Sequence, residues 1–290
     1  MIGPAIGLAL GGACCNAVAA CLQQSAVRTA TGGNRLRPSG WARLLRTPRW
    51  VTGFGLVTLG AGLHACALSM APLVIVQPIG VLAIGLTTVL AARSAGARLT
   101  RGSGLAVAGC TLGVGGFVAL AATGGPSPPV PASVAPEACL IVLVLVAGAG
   151  GIGLVAGGRI RCLSFAAAAG MSYGLVSVLV HTTAVRVEAG GLDSVHVVSV
   201  GGVAGALLVG GWFVQHAYAA GPPQVVVACQ TVLDPMLAVG IGVGLLGEGG
   251  RLSLVTAAGL AVGTMLAVTG VIMLAHRPIG PRLRSAVTST

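Results

Sequence analysis

The chain has 290 residues, of which 55% are hydrophobic and only 7% charged, and its mean hydropathy is +0.98. A soluble domain of this length needs far more charge to cover its surface, so the composition excludes one and indicates a polytopic membrane protein whose first partner is the lipid bilayer. The net charge of +11 rests on arginine, with no lysine; in a membrane protein arginine marks cytoplasmic loops, so no nucleic-acid partner is implied.

Runs of roughly 20 apolar residues predict nine spans, near 4–26, 50–69, 72–92, 103–122, 137–157, 163–184, 195–215, 222–246 and 253–274. The N-terminal MIGPAIGLAL lacks the basic region of a cleaved signal peptide and runs on past Cys21, so it reads as the first span. That span carries Asn16, Gln23 and Gln24. An arginine-rich loop, 28–49, leads to a second span containing His64, and Pro72 opens a third with Gln77-Pro78 near its start. A fourth span completes a first repeat, 1–122. The linker TGGPSPPVPASVAP, 123–136, is uncharged in its Pro/Ser-rich part and separates this repeat from five further spans, 137–274, and a basic tail, 275–290. The sixth span holds Ser172 and Tyr173, His181 and His196 flank the next loop, and His216 ends the seventh. The eighth contains Gln230, Asp234 and Pro235, and the turn after it holds Glu248 and Arg251.

An odd number of spans puts 14 of the 16 arginines on one side, leaving Arg186 and Arg251 on the other. The positive-inside rule makes the first side cytoplasmic, with the N-terminus outside and the C-terminus inside. The linker 123–136 is then external. The halves share a pattern. HACALSMAPLVIVQP (64–78) precedes a long span and the turn GARLTR, while HAYAAGPPQVVVACQ (216–230) precedes one and the turn GEGGRLS. The charge rule sets these turns on opposite sides, so the expectation is an all-α bundle of two inverted repeats, four helices and five. The excess of Ala, Gly and Val, with arginine as the basic residue throughout, fits a GC-rich genome.

The eight cysteines sit in apolar runs without ligand spacing, so neither a metal centre nor a disulfide framework is expected. Glycine-rich stretches such as GLALGGA (7–13) and GAGGIGLVAGG (148–158) follow no strand and precede no Lys-Ser/Thr, which excludes a nucleotide loop; their small-xxx-small spacing suits close helix packing. No catalytic triad or paired carboxylates are present, so neither an enzyme nor a cofactor is expected.

Asp234 has a stronger claim to a role. It falls near the middle of an apolar span, roughly 18 Å from either end, where an ionised carboxylate costs several kcal/mol unless it meets water, a cation or a donor. That makes it a candidate proton carrier. Pro235 deprives Thr231 of a helical donor, and a helix broken beside an acid is how many transporters build a site. Pro78 is the counterpart break, beside the neutral Gln77. Gln230 lies one turn before Asp234 on the same face. Asn16, His64 and Tyr173 complete the set of candidate substrate or coupling residues. Structural roles compete with these: Asp234 as the bond that holds a kink, the amides as glue between helices, the histidines as interfacial residues, and Glu248 with Arg251 as a solvated pair.

The chain resembles the drug/metabolite transporter superfamily of the EamA-like kind, most nearly actinobacterial members related to the NIPA-type magnesium transporters. The similarity is carried by CLQQSAV (21–27), RTPRWVTGFGLVTLGAGLHACALSMAPLVIVQPIGVL (46–82) and QHAYAAGPPQVVVACQTVLDPMLAVGIGVGLLGE (215–248). The resemblance implies inverted repeats around a central cavity in the cell membrane, and a small-molecule or ion substrate. It departs at Ala97, where the family often has glutamate. It makes Mg²⁺ one candidate, with Asp234 as the ligand, although Mg²⁺ usually keeps several waters and uses one or two carboxylates. A small polar metabolite or hydrophobic cation exchanged for a proton fits the single acid as well. A non-transporting membrane scaffold is the alternative from another class, and a homo-oligomer is compatible with either.

Overall fold

The computed structural model describes residues 2–32, 36, 38–71, 73–122, 134–191, 197–245 and 253–276. Among these, every regular element is a helix: α1 Ile2–Thr31, α2 Pro38–Leu45, α3 Pro48–Met70, α4 Leu73–Ser94, α5 Arg101–Ala121, α6 Val134–Val155, α7 Gly158–Gly190, α8 Val197–Ala220, α9 Pro223–Leu245 and α10 Leu254–His276. Eight of them, all but α2 and α4, are long and apolar enough to cross a membrane. The shortest of the eight, α5, has 21 residues, about 31 Å of helix, which matches a bilayer core. The apolar stretch of α4 is the shorter Pro78–Ser94.

Four expectations need correcting. The loop 28–49 is not featureless, because α2 occupies its second half. The sixth span begins earlier and ends later than 163–184, and α7 includes Arg159 and Arg161 in its first turns; long arginine side chains reach the membrane surface from a helix end, so they need not mark a loop. The linker 123–136 lies outside the described residues except at its end, where residues 134–136 already belong to α6; Pro136 is tolerated there because the N–H groups of a first turn have no helical acceptor. Neither Pro78 nor Pro235 breaks its helix, since α4 and α9 both run through. Each proline removes a single donor, and packing by neighbouring helices holds the remaining turns in place.

The helices pack in a repeating plan. α1 lies against α3 and α4, as α7 lies against α8 and α9; α4 touches α5, as α9 touches α10. Across the middle, α4 meets α9 and α5 meets α10, while α6 packs on the outside of α7. The α5–α10 seam brings backbones together: a Cβ on Gly113 would lie 2.7 Å from the Gly263 carbonyl oxygen, so only glycine allows this approach. The turn after α4 also depends on a glycine, since Gly96 adopts φ 63° while the Ala97 N–H bonds back to Ala92.

One end of the bundle can be identified from contacts. Gln24, late in α1, reaches the Gly221 carbonyl between α8 and α9, and Trp50 at the start of α3 bonds Gln215 late in α8. Arg159 and Cys162 of α7, Gly221, Pro222 and Ala275 of α10 line one cavity of about 40 Å³. At this end α1, α8 and α10 finish while α3, α7 and α9 begin. Arg28, Arg43, Arg46, Arg49, Arg159 and Arg161 all belong to it. Packing is densest here. Residues 223–229 of α9 are all buried, whereas residues 233–239, further along the same helix, are half-buried on every face.

Candidate functional site

Asp234 stands in the middle of the 23-residue α9, about 17 Å from either end. Three features of α7 place it. Gly170 and Gly174, four residues apart, leave no side chain where α9 crosses: a Cβ on Gly170 would lie 3.1 Å from the Gln230 Cα, and one on Gly174 would lie 2.9 Å from the Asp234 carbonyl oxygen. One turn later, Ser177 Oγ donates a hydrogen bond of 2.8 Å to Asp234 Oδ1. The seam is therefore a small-xxx-small contact that ends in a polar pair. Ser177 is exposed and Asp234 half-buried, so the pair opens to the molecular surface and is not sealed in the core. An ionised carboxylate accepts about four hydrogen bonds. Ser177 supplies one, which leaves capacity for a proton, a cation or a solute donor.

Gln230 lies on the same face of α9, one turn before Asp234, with its backbone against Gly170. The other candidates occupy different seams. His64 on α3 rests against Gly80 of α4, where a Cβ would come within 3.3 Å of its ring. Asn16 fills the α1–α3 seam opposite Gly60, and a Cβ there would lie 2.8 Å from its Oδ1. Tyr173 faces α8, its ring against Gly210. Ser172 is buried, and its hydroxyl bonds the Ala168 carbonyl of its own helix at 2.8 Å. Gln77 belongs to α4, but its side chain lies outside the described residues, as do His196, Glu248 and Arg251. His181 is exposed on α7, and His216 packs against Trp212 with the rings tilted by 33° and their centroids 3.8 Å apart.

A second polar cluster was only half anticipated. At the arginine end, Gln215 Nε2 donates to Gln23 Oε1 at 2.7 Å and Trp50 Nε1 donates to Gln215 Oε1 at 3.0 Å. All three side chains are buried. The bonds join α1 and α3 to α8, so they tie the first half of the chain to the second. Nearby on the first turn of α9, Gln224 is 1% exposed, and neither its Nε2 nor its Oε1 has a hydrogen-bond partner among the described residues. Sequence reasoning missed Ser177, Gly170, Gly174, Gln215, Trp50 and Gln224. The spacing G-M-S-Y-G at 170–174 with serine three residues on was the available signal for the first three.

The chain is similar to an uncharacterized protein of Corynebacterium glutamicum, 29% identical over 229 residues that make up 77% of each chain. No family profile matches it. No solved structure matches it either.

Proposed function

We propose that this chain is a secondary transporter of the drug/metabolite type, EamA-like in plan. It moves a small polar metabolite or organic cation by alternating access, in exchange for a proton carried by Asp234. The observation that carries the reading is the Asp234–Ser177 pair, an acid held halfway along a span, donor-bonded and open to the surface. Intramembrane acids are costly and rarely serve packing alone.

Further observations support it. The paired packing of α1, α3, α4 and α5 with α7, α8, α9 and α10 is what two repeats produce. The end of α8 meets the start of α3, as inversion of one repeat requires. With α4 counted, the spans number nine and the arginine end faces the cytoplasm. The density gradient along α9 then corresponds to a state closed at the cytoplasmic end by the Gln23–Gln215–Trp50 bonds and open to the outside around Asp234. Opening the inner end would hydrate Gln224, whose unbonded amide is costly in the closed state.

Accessibility tests the reading. In a chain whose eight cysteines are replaced, Gln230→Cys should react with a membrane-impermeant thiol reagent added from either face of sealed vesicles. A residue 230 that stays unlabelled from both faces in folded protein contradicts transport and favours a packed scaffold.

A further inference from the structure

The helix α2 has a role in no span. It links the end of α1 to the start of α3, so it is held where two spans leave the hydrocarbon. One face is anchored: Leu44 is fully buried, Leu36 just before the helix is buried, and the Trp41 ring lies 6.3 Å from that of His216. Around α2, in its last turn, the turn after it and the adjoining helix ends, the surface is cationic. Arg43, Arg46 and Arg49 are exposed, Arg28 is exposed in the last turn of α1, and Leu45 among them is 58% exposed.

None of the acids among the described residues can neutralise this surface. Asp234 is in mid-span. Glu137 is in the first turn of α6 and Glu188 is near the end of α7. Since α6 finishes and α7 begins at the arginine end, both glutamates lie at the far end. No acid among the described residues therefore supplies the counter-ions of these arginines. Free anions, acidic proteins and lipid phosphates share the required charge, but the height of α2 and the bare Leu45 beside its arginines select a lipid surface.

We propose that α2, with Arg28, Arg43, Arg46 and Arg49, docks the headgroups of anionic phospholipids. Leu45 enters the acyl boundary while the guanidinium groups hold phosphate oxygens, and their planar forks suit that geometry. The site thereby fixes the α1–α3 connection to the membrane surface. It stands whether or not the chain transports anything.

The test titrates full-length protein in neutral micelles with fluorescent phosphatidylglycerol and, separately, with the matching phosphatidylcholine. Phosphatidylglycerol should bind at least about 100-fold more tightly, because four arginines act together. Each surface arginine is worth about fivefold, so the triple variant Arg43→Gln, Arg46→Gln, Arg49→Gln should lose roughly 100-fold of that preference. The triple Arg→Lys variant should keep most of it, which separates charge from loss of fold. Equal binding of the two lipids by the wild type overturns the proposal. So does a preference that survives the triple Gln variant, or one that millimolar inorganic phosphate abolishes, since the last identifies a soluble-anion site.

Discussion

Asp234 and Ser177 form the smallest unit on which the function turns. Removing the Ser177 hydroxyl takes away the one donor to the carboxylate among the described residues, and a hydrogen bond to a charged group is worth about 1.5–3 kcal/mol. Ser177→Ala should therefore lower coupled transport by about tenfold or more and move its pH profile, while Ser177→Thr keeps both. Because Ser177 is exposed, thermal unfolding should barely change. An unchanged pH profile in Ser177→Ala would assign the bond to packing. Gln215 should behave in the opposite way. Gln215→Leu strands the Trp50 N–H and the Gln23 carbonyl oxygen in a buried place, so the thermal midpoint should fall, by about 1–3 kcal/mol of stability for each unsatisfied group. At this scale the sequence was informative about cost and silent about partners. An acid inside an apolar run is conspicuous by itself, whereas Ser177 lies 57 residues away and only its spacing from Gly170 and Gly174 distinguishes it from other serines.

Between elements, stability rests on how closely backbones approach. A side chain at 174 would meet the α9 backbone at the acid itself, while a Cβ at Gly211 of α8 meets nothing within 4 Å. Gly174→Val should cost about 1–3 kcal/mol, the usual range for overpacking, and should disturb transport by pushing α9 away. Gly211→Ala should be neutral in both respects. Equal effects at the two positions would mean that helix propensity, not the α7–α9 approach, controls stability. The long helices were legible because hydrophobic length alone demands them. The helix α2 was hidden because a basic, proline-flanked stretch between spans reads as a loop, and its single buried face needed Trp41 and Leu44 to find partners elsewhere. The prolines misled for a related reason: a proline weakens one bond of a helix, but in a bundle the neighbours decide whether the helix continues.

Across the whole molecule, one end is dense, arginine-rich and cross-linked by amides, and the far half of α9 is loosely surrounded. The alternating-access reading predicts that pinning the dense end stops the cycle. In a cysteine-free background, a Gln23→Cys, Gln215→Cys pair oxidised to a disulfide should abolish flux, and a reductant should restore it; flux that persists through the cross-link would place the moving parts elsewhere. The charge asymmetry that suggested an orientation was readable from arginine positions, because arginines gather at helix ends and in the loops between spans. Which helices face one another was not, since every span is apolar on all sides and its pairing is decided by glycine and amide positions that only the assembled bundle reveals. The most direct test of the account uses purified protein in liposomes loaded with a pH-sensitive dye, challenged in turn with amino acids, lipophilic cations and Mg²⁺. A solute from the first two classes should drive a pH change in the wild type that disappears in folded Asp234→Asn. A full response in that variant, or flux of Mg²⁺ without proton movement, would contradict the role given to Asp234.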